Sequence, residues 1–306
     1  MTRPIHLAKL LLPVFLAAAA AAAAAATAAA GVAPRYAARP GDILRYTIVQ
    51  KDTPAQPVVS WDLFCTGTNA TNGARWVYRL RIDPFEGAEF PMPPRVYEEG
   101  GRFDCLPDGT LKNLQGALQM ADPGVIFPAL PPQMATTSSW SVPRGQIVHH
   151  GVLQSLPTPE TPELRFVLAH TRQPSPMLRA AVKVEYRFDP VRGRLLGGRM
   201  EVVDTRQPDK RTVHILALDP TFRIADGEFA ILMKDEKTVF DVLDSYELIM
   251  ARVESGGGRE TAAASEAKRI LDSGVAQTRT VFLRNELQKR LNAHDGRVSR
   301  VRRTLP

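Results

Sequence analysis

Cysteine is scarce in this chain: 306 residues contain two, Cys65 and Cys105, beside six histidines. No Cys-x-x-Cys spacing occurs, so thiolate zinc sites and dithiol redox motifs have no footing. Gly-x-Ser-x-Gly, His-Glu-x-x-His and a phosphate-cradling glycine-rich loop are also missing. Their absence removes the usual signatures of serine hydrolases, zinc peptidases and nucleotide-binding enzymes. No catalytic residue, metal ligand or cofactor is therefore expected. Beyond residue 31 no long apolar run occurs, which speaks against a spanning helix in the rest of the chain.

The apolar run that does exist is residues 10–31, LLLPVFLAAAAAAAAAATAAAG. Arg3 and Lys9 precede it with no acidic residue, and it closes on small residues in an Ala-x-Ala order. Basic start, short apolar core and small-residue end make the pattern of a secretory signal peptide. The expectation is cleavage after Ala30 and export to a periplasmic or extracellular space, an uncleaved N-terminal anchor being the alternative. An exported chain with two cysteines suggests a Cys65–Cys105 disulfide.

Charge is segregated along the chain. From residue 284 onward there are seven basic residues, Arg284, Lys289, Arg290, Arg297, Arg300, Arg302 and Arg303, against Glu286 and Asp295. Without these and the leader, 30 basic residues face 30 acidic ones. The body is neutral and the tail basic. Such a tail suits contact with an anionic envelope surface. With no aromatic after Phe282, nothing supports stacking on nucleic-acid bases.

Period-two alternation dominates residues 40–220. In RWVYRLRI, Trp76, Tyr78, Leu80 and Ile82 share one face; in AVKVEYRF, Val182, Val184, Tyr186 and Phe188 do. Weaker runs lie at 43–50, 58–65, 147–153, 164–171, 199–205 and 211–218. Strands with one dry and one wet face belong to antiparallel sheets. DPVRG at 189–193 and RQPDKR at 206–211 supply hairpin turns, and Gly197-Gly198 a bulge. The fold class expected is mainly β, an antiparallel sandwich, barrel or strongly curved sheet, plus C-terminal helices.

Residues 31–222 form this β-rich domain, interrupted by an excursion at 85–143 rich in Pro and Gly. Proline cannot donate to a ladder, so the excursion reads as ordered loop with a short helix near 111–120, not as further strands. From residue 223 to 255 the period changes: Val239, Leu243, Tyr246, Met250 and Val253 make one helical stripe. Gly256–Gly258 is a joint, residues 259–273 a polar helix with Gly274 as its stop, and a last helix starts near Val275, fraying beyond Gly296.

Isolated chemical groups attract blander readings. Ser265-Glu266-Ala267-Lys268 fits Ser-x-x-Lys, yet no partner motif accompanies it, so it reads as a solvated helix face. His149 and His150 are adjacent and point to opposite faces of a strand, whereas His170 and His214 meet only if their strands pair. A hydrolase built on either of the latter is a remote alternative. Glu98-Glu99 reads as a solvated pair.

IFPALPPQMATTSSW at 126–140 and FDPVRGRLLGG at 188–198 resemble segments of uncharacterised exported bacterial β-rich proteins. The resemblance implies the exported β-rich class and no activity. The leading expectation is thus a non-enzymatic exported binding module, its partner a protein or an anionic envelope surface. The alternative is a carrier of an apolar small molecule in a curved β cavity. Trp76, Tyr78, Phe166, Tyr186 and Phe188 would line that cavity, under a roof made by the 239–253 helix or the 127–140 loop.

Overall fold

The computed structural model describes residues 32–51, 59–69, 73–83, 96–116, 123–135, 138–144, 147–175, 178–205, 207–256 and 261–303. The expected signal peptide, residues 1–30, lies outside the described residues. Eleven strands follow in order: β1 (Ile43–Gln50), β2 (Val59–Asn69), β3 (Gly73–Ile82), β4 (Tyr97–Cys105), β5 (Leu111–Gly116), β6 (Ser139–Arg144), β7 (Ile147–Ser155), β8 (Leu164–Ser175), β9 (Leu178–Asp189), β10 (Arg194–Asp204) and β11 (Gln207–Leu218). Three helices close the chain: α1 (Asp226–Ser255), α2 (Thr261–Gln277) and α3 (Val281–Arg303).

The strands form one antiparallel sheet in the order β5-β4-β3-β2-β1-β11-β10-β9-β8-β7-β6. Two meanders are joined where β1 meets β11, and β5 and β6 are the two edges, so the sheet does not close. It curves strongly. Tyr46 on β1 donates its hydroxyl to the Leu195 carbonyl on β10 at 2.9 Å, and Tyr36 reaches the rings of both Phe127 and Phe188. One buried cluster gathers the inward residues of both meanders: Tyr46, Trp61, Leu63, Trp76, Tyr78, Leu80, Phe103, Phe166, Val184, Tyr186 and Phe188. Burying each such aromatic or branched side chain contributes roughly 1.5–3 kcal/mol.

The alternation seen in the sequence sets these faces. Gly197 coincides with the expected bulge, where the β9–β10 register shifts between Leu195 and Gly197. The excursion is different from expectation: β4, β5 and β6 lie inside it, and residues 111–116 are a strand instead of a helix. Pro143 sits in β6 because that strand is an edge, where a missing N–H leaves no ladder bond unmade. The segment after β5 enters the concave face. A 3-10 turn at Pro123–Val125 leads to Ile126, Phe127, Leu130 and Met134, all buried in the core.

The helices cover the convex face of the first meander rather than roofing the concave one. Phe64 and Val77, the outward residues of β2 and β3, join Leu232, Val239, Phe240, Ile249, Met250, Leu271, Leu283 and Leu287 in a second core. Gly100 on β4 makes this approach close, since a Cβ there would stand 2.6 Å from the Phe282 ring. Gly274 acts likewise: it lies inside α2, where a Cβ would meet Leu287 Cδ1 at 2.9 Å and the Val242 methyls. The expected helix stop at Gly274 is instead a helix–helix contact, and the true break falls at Thr278–Thr280. The Asp235 carboxylate accepts the Arg279 and Thr280 N–H groups there, at 2.8 and 2.5 Å. Nor does the tail fray after Gly296, because Val298 is buried and the helix runs to Arg303.

Candidate functional site

One end of the curved sheet is open, and a strap made by residues 32–38 crosses it. Val32 and Met134 exchange two backbone hydrogen bonds, the Tyr36 N–H donates to the Pro107 carbonyl at 2.7 Å, and the Ala37 N–H to that of Gly193 at 2.9 Å. The strap thus ties the β4–β5 turn to the β9–β10 turn across the mouth. Tyr36 also donates its hydroxyl to Pro128 O at 3.1 Å, anchoring the strap to the segment that fills the concave face.

Beneath the strap lies a cavity of about 340 Å³. Tyr36, Leu44, Tyr46, Trp76, Phe127 and Cys105 give it apolar walls, and Thr68, Asn69 and Arg194 are its polar residues. The volume falls at the low end of small-molecule sites, ~300–1,000 Å³. Tyr46 faces it with its hydroxyl engaged, and burial holds that phenol well above its usual range. Arg194 is the only ionised side chain among the described residues of the wall. Its Nε is buried with no hydrogen-bond partner.

Of the five residues expected to line a cavity, only Trp76 does. Tyr78, Phe166, Tyr186 and Phe188 are buried in packed core. Phe166 lies between Trp140 and Tyr186 in tilted ring contacts, at centroid distances of 5.8 and 5.2 Å, and Phe188 meets Tyr36 edge to face. The strap, Leu44 and Arg194 were missed because their placement depends on long-range closure of the mouth.

The expected Cys65–Cys105 bridge is not formed: both cysteines are buried and neither is in a disulfide. Register explains it. Cys65 on β2 pairs with Trp76 and Cys105 on β4 with Ala74, so β3 separates the two chains. Two strand spacings place them ~9–10 Å apart laterally, beyond the ~7 Å Cα limit for a disulfide. Burial pushes the Cys65 thiol up to about 11.

The glutamate pair divides. Glu98 faces outward and pairs with Arg79 at 2.5 Å. Glu99 points into the core, 1 % exposed, and is not solvated as expected. One oxygen accepts the Tyr97 hydroxyl at 2.5 Å, while the other, and the Tyr78 hydroxyl, are buried without a hydrogen-bond partner. Burial raises the Glu99 carboxyl above its usual range.

The histidines separate in a similar way. His150 lies outward and its Nδ1 is 3.0 Å from the Ser141 hydroxyl. His149 turns inward, and its ring is 4.2 Å from that of His170 across the β7–β8 pair. His214 is remote, with β9 and β10 between its strand and β8. His294, passed over in the sequence, is buried beside Tyr246, and burial lowers its affinity for a proton. Among the described residues no group of three or more His, Cys, Asp and Glu could hold a metal ion. Ser265 is exposed, and Lys268 pairs with Asp295 at 2.9 Å.

The basic tail is partly committed inside the molecule. Lys289 pairs with Glu286, and Arg297 bridges Glu247 and Glu254, each at 2.7 Å. Arg284 is half-buried, whereas Arg290, Arg300 and Arg303 are exposed. The Arg302 side chain lies outside the described residues. No described helix is long and apolar enough to cross a membrane. Compared with protein-family models, curated proteins and solved structures, the chain matches none. The fold defines a class: an open, strongly curved antiparallel sheet with three helices on one convex flank.

Proposed function

We propose that this protein is an exported, non-catalytic binding module whose partner is a small, largely apolar molecule held under the strap. The observation that carries this reading is the 340 Å³ cavity itself, with aromatic and aliphatic walls at the concave face beside the packed core. Side chains elsewhere in the concave core sit in ring-on-ring contact, which is how interiors reach crystal-like density. Space left beneath the strap therefore suits a guest. Export rests on the order of residues in the leader.

Native and denaturing mass spectra of the protein isolated from the cells that make it test the reading. Mass present only in the native spectrum, lost on organic extraction and regained on adding the extract, is the expected result. A bare chain that gains no thermal stability from any apolar compound would overturn it.

Contact of α3 with an anionic envelope surface is a second reading, favoured by the exposure of Arg290 and Arg303. Adsorption to vesicles containing phosphatidylglycerol, but not to phosphatidylcholine vesicles, and its loss in Arg290→Glu/Arg303→Glu, are expected. Equal adsorption to both vesicles removes it.

A further inference from the structure

We infer that the guest under the strap is an anionic amphiphile, an apolar chain bearing a carboxylate or phosphate head, and that Arg194 receives the head. The inference rests on the cavity reading above and specifies its chemistry.

Four observations converge on Arg194. It lines the cavity, and no carboxylate shares that wall with it. Its Nε is buried without a hydrogen-bond partner among the described residues. Its neighbours on the β9–β10 hairpin differ: Arg187 pairs with Glu163 and Arg192 with Asp189. It shares the cavity wall with Tyr46, and its positive charge opposes the rise that burial causes in that phenol.

A guanidinium keeps its proton under all ordinary conditions, so Arg194 cannot escape the cost of poor solvation by neutralising. An unpaired, partly buried cation is expensive, and pairing it recovers that cost. Its planar fork fits the two oxygens of a carboxylate or phosphate. The remaining wall is uncharged: Leu44, Trp76 and Phe127 offer carbon surface, while the Tyr36 and Tyr46 hydroxyls already donate to carbonyls. A neutral oil would leave the cation unpaired, and a small polar anion would leave the carbon surface wet. A molecule with both parts satisfies both. Since Arg194 opens β10, directly after the strap's anchor at Gly193, the head would lie near the strap with the chain directed inward.

The test uses the full processed protein and three probes with the same chain: decanoate, decyl phosphate and decanol. Binding is read by quenching of tryptophan fluorescence and by native mass spectrometry. The expected result is that both anions bind at least about tenfold tighter than decanol, the advantage a charge-assisted pair supplies. Arg194→Gln should erase that advantage, with circular dichroism and thermal unfolding of the variant beside wild type certifying its fold. Ala38→Trp, which fills the mouth, should lose all three probes. Preference for decyl phosphate over decanoate would identify a lipid-phosphate source, and the reverse a free fatty acid. If all three bind equally to wild type and Arg194→Gln, the role of Arg194 is overturned and the cavity reading stands. If none binds, the cavity reading itself fails.

Discussion

The Glu286 carboxylate on α3 accepts the N–H of Gly100 on β4 at 3.0 Å. This bond exists because β5 is short. The β4–β5 ladder begins at Gly101, so the amide of Gly100 has no strand partner on that side, and the helix supplies one. Lys289 then neutralises the same carboxylate and donates to the Glu98 carbonyl at 3.1 Å. Helix and sheet edge are thereby joined by backbone as well as by the Phe282 contact. Replacing Glu286 with Ala orphans a buried amide, which costs about 1–3 kcal/mol. Urea unfolding of Glu286→Ala should show a lower midpoint with an unchanged slope. Glu286→Gln, which retains an acceptor, should lose less than half as much.

Two glycines in the helices should respond oppositely to added carbon. Gly274 is packed against Leu287 and Val242, whereas Gly296 in α3 has open space around it. Gly274→Val should destabilise by about 1–3 kcal/mol, the usual cost of overpacking. Gly296→Ala should stabilise by up to about 1 kcal/mol, because alanine loses less backbone entropy in a helix. Thermal unfolding of the two variants beside wild type decides both, and a loss of stability in Gly296→Ala would contradict the open environment.

The thiols offer a chemical check on register. With β3 between them, Cys65 and Cys105 should remain unpaired even in protein purified without reductant. A thiol reagent should count two groups after denaturation. In the folded state at pH 8 the buried Cys65, with its thiol pushed up to about 11, should react slowly if at all. A mass two units short, indicating an internal disulfide, would refute the pairing of β2, β3 and β4.

Glu99 should make stability fall as pH rises. Its carboxyl is raised in the folded state, so above the ordinary glutamate range the folded protein binds more protons than the unfolded chain. Deprotonating it then leaves a charge among Tyr78 and Tyr97. Glu99→Gln keeps the acceptor for Tyr97 and removes the charge. The variant should exceed wild type in urea midpoint at pH 8, and the gap should shrink toward pH 4. A gap that widens on acidification would mean Glu99 is held as a carboxylate.

Most strands were legible because their inward residues alternate without interruption, as in 75–82 and 181–188. β4 escaped notice because Gly100 and Gly101 break its apolar face, one to admit Phe282 and the other to admit the Tyr78 ring. Both absences are packing features of partners distant in sequence. The same reason hid the split between Glu98 and Glu99, which is plain once β4 is a strand. Trp76 borders the cavity beneath the strap, whereas Tyr78, Phe166, Tyr186 and Phe188 are aromatic and inward-facing like it without sharing its position. Arg194 resembled any other arginine of the body. What distinguishes it is a cavity wall with no carboxylate among its described lining residues, and that is a property of three-dimensional neighbours. α1 was read nearly to its ends, since its stripe repeats over many turns. The α2–α3 break was displaced because Gly274 signals a stop by itself and a close contact only when Leu287 faces it.

A sheet that curls without closing keeps two free margins, and each is poorly suited to recruit another chain. β6 spans six residues and includes Pro143, which has no hydrogen to offer a neighbour. β5 is equally short, turns to positive φ at Asn113 and carries Lys112 beside it. Short length, proline, irregular backbone and lysine are the devices by which exposed margins resist stacking into fibrils. The two borders of the open sheet thus each carry features that discourage edge-to-edge pairing with another copy.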